Sequence, residues 1–298
     1  MRTAVLDIGG TSIKSGIFDN GMLTETGETP ANAHLGGPYV IKTAKKVLAG
    51  YSGFERIGIS TAGQVDSERG IIRYANQNIP DYTGMEIQKI FFEEFHVPAA
   101  VENDVNAAAL GEAFFGAGKN SKDKNFLCLT YGTGIGGAIV IDGKIFKGAA
   151  FSAGEFGFLV THGIPGEVFC ENKTGGIYYE NYASAAALIK NVQLIRPDLN
   201  DGRRIFKNME NPAVKKIVDN WIHEVLYGLS GLIHIFNPSL VILGGGIMEE
   251  NYIIDSLKEK INCYIMPSFA EDVVLSKALL GNAAGLWGAG YLAEKCSG

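Results

Sequence analysis

Residues 1–22, MRTAVLDIGGTSIKSGIFDNGM, and residues 125–144, NFLCLTYGTGIGGAIVIDGK, decide the fold. In the first stretch Thr3 to Ile8 reads as a strand, breaks at Gly9-Gly10-Thr11 and resumes as SIKSGIF. It then meets Asn20-Gly21, a dipeptide suited to a two-residue hairpin turn because both residues accept positive φ. The second stretch repeats the plan: apolar strand, Gly/Thr turn, apolar strand, then Asp142-Gly143. We read the pair as a weak internal repeat, each copy opening one half of the chain.

A third strand follows the first hairpin near Met22 to Thr29, and helix formers run from about Gly37 to Ala49. RIGIST at 56–61 is a short apolar strand ending at Ala62-Gly63. GMEIQKIFFEEF suits an amphipathic helix, VPAAVEN a strand, and DVNAAALGEAFF a helix opened by an Asx cap. Later, Val214, Ile217, Val218, Trp221, Ile222, Val225, Leu226, Leu229, Leu232, Ile233 and Phe236 recur at three- and four-residue steps. That spacing describes one long core-facing helix, stopped by Pro238. SLVILGG then reads as a buried strand, and GNAAGLWGAGYLAE as a closing helix of small residues. The order predicts an α/β chain of two mixed-sheet lobes with a cleft between them. Residues 1–115 with 282–298 form the first lobe, where the last helix returns to pack; 116–281 form the second.

The composition narrows the function. The net charge is −6, so there is no surplus of Lys and Arg to neutralise nucleic acid or an anionic membrane, and neither is an expected partner. The start of the chain reads as neither a signal peptide nor a spanning helix, which predicts a cytoplasmic protein. Cys128, Cys170, Cys263 and Cys296 stand far apart with no CxxC pair, as inert reduced thiols would. The 39 glycines gather in a few short loops.

Those loops and one acidic helix start carry the candidate chemistry. Asp7-Ile8-Gly9-Gly10-Thr11 sets a carboxylate beside two residues without Cβ, so backbone amides can approach a phosphate and Asp7 can hold hydrated Mg²⁺; Lys14 adds positive charge. The same residues also suit a tight hairpin whose Asp satisfies its own turn. Gly132-Thr133-Gly134-Ile135-Gly136-Gly137 matches GxGxxG, but β-branched residues follow it where a dinucleotide site needs a helix, so Thr133 and Gly134 read as a second phosphate clamp. Gly244, Gly245 and Gly246 end a strand, as a base or ribose site or as a packing turn. Asp104, after Glu102-Asn103, is the candidate base that accepts a hydroxyl proton; it could equally be the helix N-cap, and one residue can do both.

In order and spacing across nearly the whole chain, DIGGT, ENDVNAAALGE, GTGIGGAI, GEFGF, LGGGI and NAAGLWGA resemble the ROK family (repressors, open reading frames, kinases). The resemblance implies a two-lobed actin-like ATPase (ribonuclease H-like) fold and an ATP- and Mg²⁺-dependent sugar kinase, a transferase with its active site in the interlobe cleft. By it Asp7, Gly9, Gly10, Thr11, Thr133 and Gly134 surround the ATP phosphates and Mg²⁺, Gly244, Gly245 and Gly246 border the nucleotide, and Asp104 is the base. Gly63, Asn78, Asn103, Asp104, Glu155 and Glu180 would meet the sugar, and the family's frequent dimers suggest a homodimer formed through the second lobe. Closure of the lobes on ATP is a further expectation.

The chain also departs from the family. Many members have a His where Phe158 stands, followed by a CxCGxxGC zinc stretch; here FCENKTGGIYYE holds only Cys170, so no zinc is expected. A subgroup lacking the zinc motif, with β-glucoside kinases and some glucokinases in it, is similar to this chain. Phe158 would weaken the polar hold on the C1 hydroxyl and could stack on an aglycone, or it could merely fill the core. The expected substrate is a β-glucoside such as cellobiose, phosphorylated at C6, with glucose and N-acetylmannosamine as alternatives. Some family members are repressors with an added helix-turn-helix. A strand starting at residue 3 leaves no room for one, and Asp104 argues against a catalytically silent sugar sensor.

Overall fold

The computed structural model describes residues 1–121, 123–163 and 176–295. Two compact units emerge: Met1–Lys122 with Ile139–Ala153 and Asn282–Gly298, and Asp123–Ala138 with Gly154–Gly281. Sequence pattern placed 116–281 in one lobe. Residues 139–153 instead group with the first unit, where a short strand at 144–145 packs beside the helix over 104–114.

The first unit starts with β1 (Thr3–Ile8), β2 (Ser12–Asp19) and β3 (Met22–Pro30). Asn20 and Gly21 both have positive φ, 49° and 71°, which makes the tight turn the dipeptide promised. Then come α1 (Gly37–Leu48), β4 (Arg56–Thr61), a separate two-stranded ribbon of β5 (Gln64–Asp66) and β6 (Ile71–Tyr74), α2 (Ile87–Phe95), β7 (Ala99–Asn103) and α3 (Asp104–Phe114). The sheet order is β3-β2-β1-β4-β7, with β1, β4 and β7 parallel. Register sets Glu28, Lys14, Asp7, Ser60 and Glu102 in one row across all five strands. Side chains in such a row share a face, so the sheet itself assembles polar groups at the ends of its parallel strands.

The second sheet has the same order, β10-β9-β8-β11-β12, from β8 (Phe126–Tyr131), β9 (Ile135–Ile141), β10 (Lys144–Ile145), β11 (Leu240–Gly244) and β12 (Val274–Lys277). Glycines 132–137 lie between β8 and β9 or within β9 and open no helix, which removes the dinucleotide reading. The helices of this unit are α4 (Tyr179–Ala183), α5 (Ala185–Gln193), α6 (Gly202–Phe206), α7 (Pro212–Phe236), α8 (Asn251–Lys260) and α9 (Pro267–Ala270). Asn211 caps α7 through bonds from Ala213 N and Val214 N, and Asn237, at φ 42°, ends it just before Pro238. The periodic apolar residues are buried as their spacing requires, save for half-buried Ile217 and Phe236.

The last helix, α10 (Ala284–Lys295), belongs to the first unit and packs against α3, β4 and β1. Its approach is backbone to backbone. A Cβ built on Gly288 would lie 1.7 Å from the Ala107 carbonyl oxygen, and one on Gly58 would lie 2.1 Å from that of Ala289. Gly288→Ala therefore forces the helices apart. Its helix-propensity gain of about 1 kcal/mol cannot offset overpacking of roughly 1–3 kcal/mol or more. A lower urea midpoint at unchanged slope is expected in equilibrium unfolding; an unchanged midpoint would contradict the contact.

Candidate functional site

In the first unit, Asp7 is the penultimate residue of β1, with its side chain 16% exposed. Ser60 Oγ donates to its Oδ1 at 2.7 Å and Lys14 Nζ to its Oδ2 at 3.3 Å. Both partners are its register neighbours, on β4 and β2. The carboxylate has room because residue 285 is glycine: a Cβ there would stand 2.9 Å from Asp7 Cγ. Gly9 N closes the turn on Ser12 O at 3.0 Å, and Thr11 O accepts from Ala31 N at 2.9 Å. Gly10 is exposed, and an added Cβ would meet nothing within 4 Å, so backbone here lies open to an approaching anion. Sequence reasoning named Asp7, Gly9, Gly10, Thr11 and Lys14 as candidates, and the structure gathers Asp7 and Lys14 into one hydrogen-bonded pair. Sequence reasoning missed Ser60 and Gly285, although the serine's place near the end of the neighbouring parallel strand was a usable signal.

Asp104 starts α3 but does not cap it. The cap is Asn103, whose extended backbone (φ −60°, ψ 148°) lets Oδ1 accept from Val105 N and Asn106 N at 3.0 and 3.1 Å. Asn103 Nδ2 donates to Gly63 O and to Asp104 Oδ1, both at 2.9 Å. All four bonding positions of that amide are thus committed within the protein, so the Asn103 side chain holds the Asp104 carboxylate and the Gly63 loop. Asp104 Oδ1 also accepts from Val105 N at 2.9 Å, and among the described residues Oδ2 is the oxygen left to take a proton. Burial first, and then the Asp7 carboxylate, push the Asp104 carboxyl up to about 6. Bonds from Val105 and Asn103 pull the other way. Behind it Glu102 is 2% exposed and accepts from Asn103 N and Asn106 Nδ2 at 2.9 and 3.1 Å; burial raises its carboxyl. Gly63 takes φ 98°, where an alanine Cβ would also lie 2.9 Å from Tyr74 O. Asn78 is exposed on the loop after β6, its amide donating to Asn76 Oδ1 at 3.0 Å.

In the second unit Gly132 and Thr133 are exposed in the turn between β8 and β9, and an added Cβ at Gly132 would meet nothing within 4 Å. Gly134 meets Glu180: a Cβ on the glycine would fall 2.5 Å from Glu180 Oε2. That oxygen accepts from Ile135 N at 3.3 Å. Gly244 ends β11; Gly245, at φ 99°, packs so that a Cβ would meet Tyr131 O at 2.3 Å, and at Gly246 a Cβ would meet nothing within 4 Å. Packing thus explains Gly245, and Gly246 offers open backbone. Glu155 is exposed. Phe158 is 57% exposed and meets the Tyr178 ring edge-on at 5.5 Å, so the reading of Phe158 as core filler is overturned. Cys170 lies outside the described residues. Among the described residues no group of three or more His, Cys, Asp or Glu is placed to hold a metal, and no helix is long and apolar enough to cross a membrane.

Two like five-stranded sheets, each with a glycine turn between its first two strands in the chain, define an α/β chain of the actin-like ATPase fold. The chain matches the ROK family over residues 3–296 and belongs to it. It is 32% identical to a beta-glucoside kinase of Listeria innocua, covering 98% of this chain and 97% of that one. Among solved structures, a ROK hexokinase from Thermus thermophilus superposes with a TM-score of 0.81 at 32% identity, covering 99% and 98% of the two chains. A ROK family glucokinase from Streptomyces griseus, solved with glucose and AMPPNP, gives 0.82 at 27% identity, covering 99% and 100%.

Proposed function

We propose that the protein is an ATP-dependent kinase that phosphorylates the C6 hydroxyl of a glucosyl unit, and that its preferred acceptor is a β-glucoside such as cellobiose. The observation that carries the choice of acceptor is the exposed Phe158 ring, packed edge-on against half-buried Tyr178, where the family resemblance implies a polar His. An aromatic surface favours the apolar face of a second sugar ring or aglycone over a free C1 hydroxyl.

In the reaction the C6 oxygen attacks the γ-phosphorus as the bond to the β-bridging oxygen breaks, ADP leaves, and the hydroxyl proton passes to Asp104 Oδ2. A carboxylate with its pKa near 6 is mostly ionised at neutral pH yet basic enough to take that proton. Asn103 and the Val105 amide hold Oδ1 and so aim Oδ2. Mg²⁺ suits Asp7, a hard oxygen donor kept clear by Gly285, and when bound it would neutralise phosphate charge. In the first unit Gly10 offers open backbone to a phosphate; in the second unit Gly132 and Gly246 offer open backbone to a nucleotide. Glu155, Asn78 and Glu180 are the sugar-facing candidates.

Coupled measurement of ADP release over cellobiose, glucose and N-acetylmannosamine tests the assignment. We expect kcat/KM for cellobiose to exceed that for either monosaccharide by about tenfold or more, the scale of a modest pocket difference. Preference for a monosaccharide with cellobiose inert would reject the β-glucoside reading and leave a hexose kinase. No turnover on any sugar would reject the kinase.

A further inference from the structure

Glu180 is a candidate sugar residue whose carboxylate also touches the turn that carries Gly132–Gly134. Its Oε2 accepts from Ile135 N, the residue that leaves Gly132–Gly134, at 3.3 Å. Two glycines make its seat: a Cβ on Gly134 would lie 2.5 Å from Oε2, and one on Gly157 would lie 2.7 Å from it. The helix that bears it is held from both sides. Tyr179 shares a 2.9 Å hydroxyl–hydroxyl bond with Tyr131, the residue just before the turn, and donates to Val225 O at 2.7 Å. Its ring lies where Gly228 has no side chain, and Ala186 N reaches the Gly132 carbonyl at 3.2 Å. A buried tyrosine pair fixes α4, and α4 fixes the carboxylate against the turn.

We propose that Glu180 is a positioning residue through which sugar occupancy and nucleotide affinity are coupled. This rests on the kinase reading above. With no sugar bound, the carboxylate supports the turn through the Ile135 amide but stands as a negative charge beside the place that receives phosphates. A sugar hydroxyl donating to it disperses that charge, so the acceptor sugar should tighten nucleotide binding, and by linkage nucleotide should tighten sugar binding. The coupling is thermodynamic and needs no separate allosteric site.

Calorimetric binding of Mg-ADP, with and without saturating cellobiose or glucose, reads this without turnover. Wild-type protein should show roughly tenfold tighter Mg-ADP binding with sugar, within the usual range of coupling. Glu180→Ala should weaken sugar-free binding by roughly tenfold and abolish the coupling, because the amide loses a charged acceptor. Glu180→Gln keeps an oxygen for the Ile135 amide but no charge, so sugar-free affinity should tighten toward the sugar-bound wild-type value, by up to roughly tenfold, while coupling shrinks. Gly134→Ala displaces the carboxylate and should imitate Glu180→Ala, yet add nothing in a protein that already carries Glu180→Ala. Glu180→Ala that weakens only sugar binding, or Gly134→Ala whose effect simply adds, would overturn the proposal and leave Glu180 an ordinary sugar ligand. Wild-type protein that binds no Mg-ADP would overturn the kinase reading and this coupling with it.

Discussion

Asp104→Asn is expected to lower kcat by ~10²–10⁴-fold, the usual worth of a positioned general base, while making the protein more stable at neutral pH. The two effects share one cause. Burial and the Asp7 carboxylate hold the Asp104 carboxyl at about 6, above its ordinary 3.8, so the folded state holds that proton more tightly than the unfolded chain does. The raised pKa therefore contributes stability that is present below about pH 4 and lost as pH rises through about 6. At neutral pH the ionised base costs the fold on the order of 1–3 kcal/mol. Asparagine removes the charge but keeps an Oδ1 for Val105 N and for the Asn103 amide, so the start of α3 should survive. Activity runs the opposite way: the base works only when ionised, and kcat/KM should fall as pH drops through about 6. Glu102 is also raised by burial, so the difference between wild type and variant, not either profile alone, isolates Asp104. Thermal midpoints from pH 4 to 8, set beside kcat/KM over the same range, test both halves. Near-normal turnover would remove Asp104 from the mechanism. Turnover lost with no stability gain at pH 7 would mean that its charge is not held at a cost.

What could be read in the sequence was local. Asn20-Gly21 and Asp142-Gly143 fix hairpins within two residues, and the three- and four-residue steps of α7 mark a buried helix face without knowledge of any partner. The ribbon of β5 and β6 escaped because its strands are three and four residues long and half of Ile71–Tyr74 is exposed, so no alternation develops. The sequence pattern put the cap of α3 on Asp104, but Asn103 is as good a capping residue. Only the backbone, extended at Asn103, decides between them. Ser60 could have been suspected from its place near the end of a neighbouring strand, but Gly285 became visible only when helix packing brought it to Asp7. The seat of Glu180 joins residues far apart in sequence, and nothing around Gly134 announces that its missing Cβ serves a carboxylate on α4. Phe158 was singled out by its place in GEFGF, but whether it faced solvent or the core depended on packing that one residue's neighbours in sequence cannot supply.

Asp7→Asn carries the second large expected effect, a loss of ~10²–10³ in kcat/KM for Mg-ATP, the scale of losing a few kcal/mol of metal-assisted charge neutralisation. The asparagine retains Oδ1 to accept from Ser60 Oγ, so the turn after β1 should keep its shape, but it has no charge to hold a divalent cation or to pair with Lys14. Asp7→Ala goes further and leaves both partners without an acceptor; it should add a loss of stability to the same loss of activity. The contrast separates two readings of one residue. If Asp7 only satisfies its own turn, Asp7→Asn should be nearly silent and Asp7→Ala merely less stable. If Asp7 helps hold Mg²⁺, both variants should lose activity alike, raising Mg²⁺ or substituting Mn²⁺ should restore part of it, and affinity for the sugar should be largely kept. Initial rates over a matrix of metal and ATP concentrations, together with calorimetric binding of ADP in the presence and absence of Mg²⁺, distinguish them. A loss that no metal concentration alters, with Mg²⁺ still strengthening ADP binding as in wild type, would take Asp7 out of the metal site and return it to the hairpin.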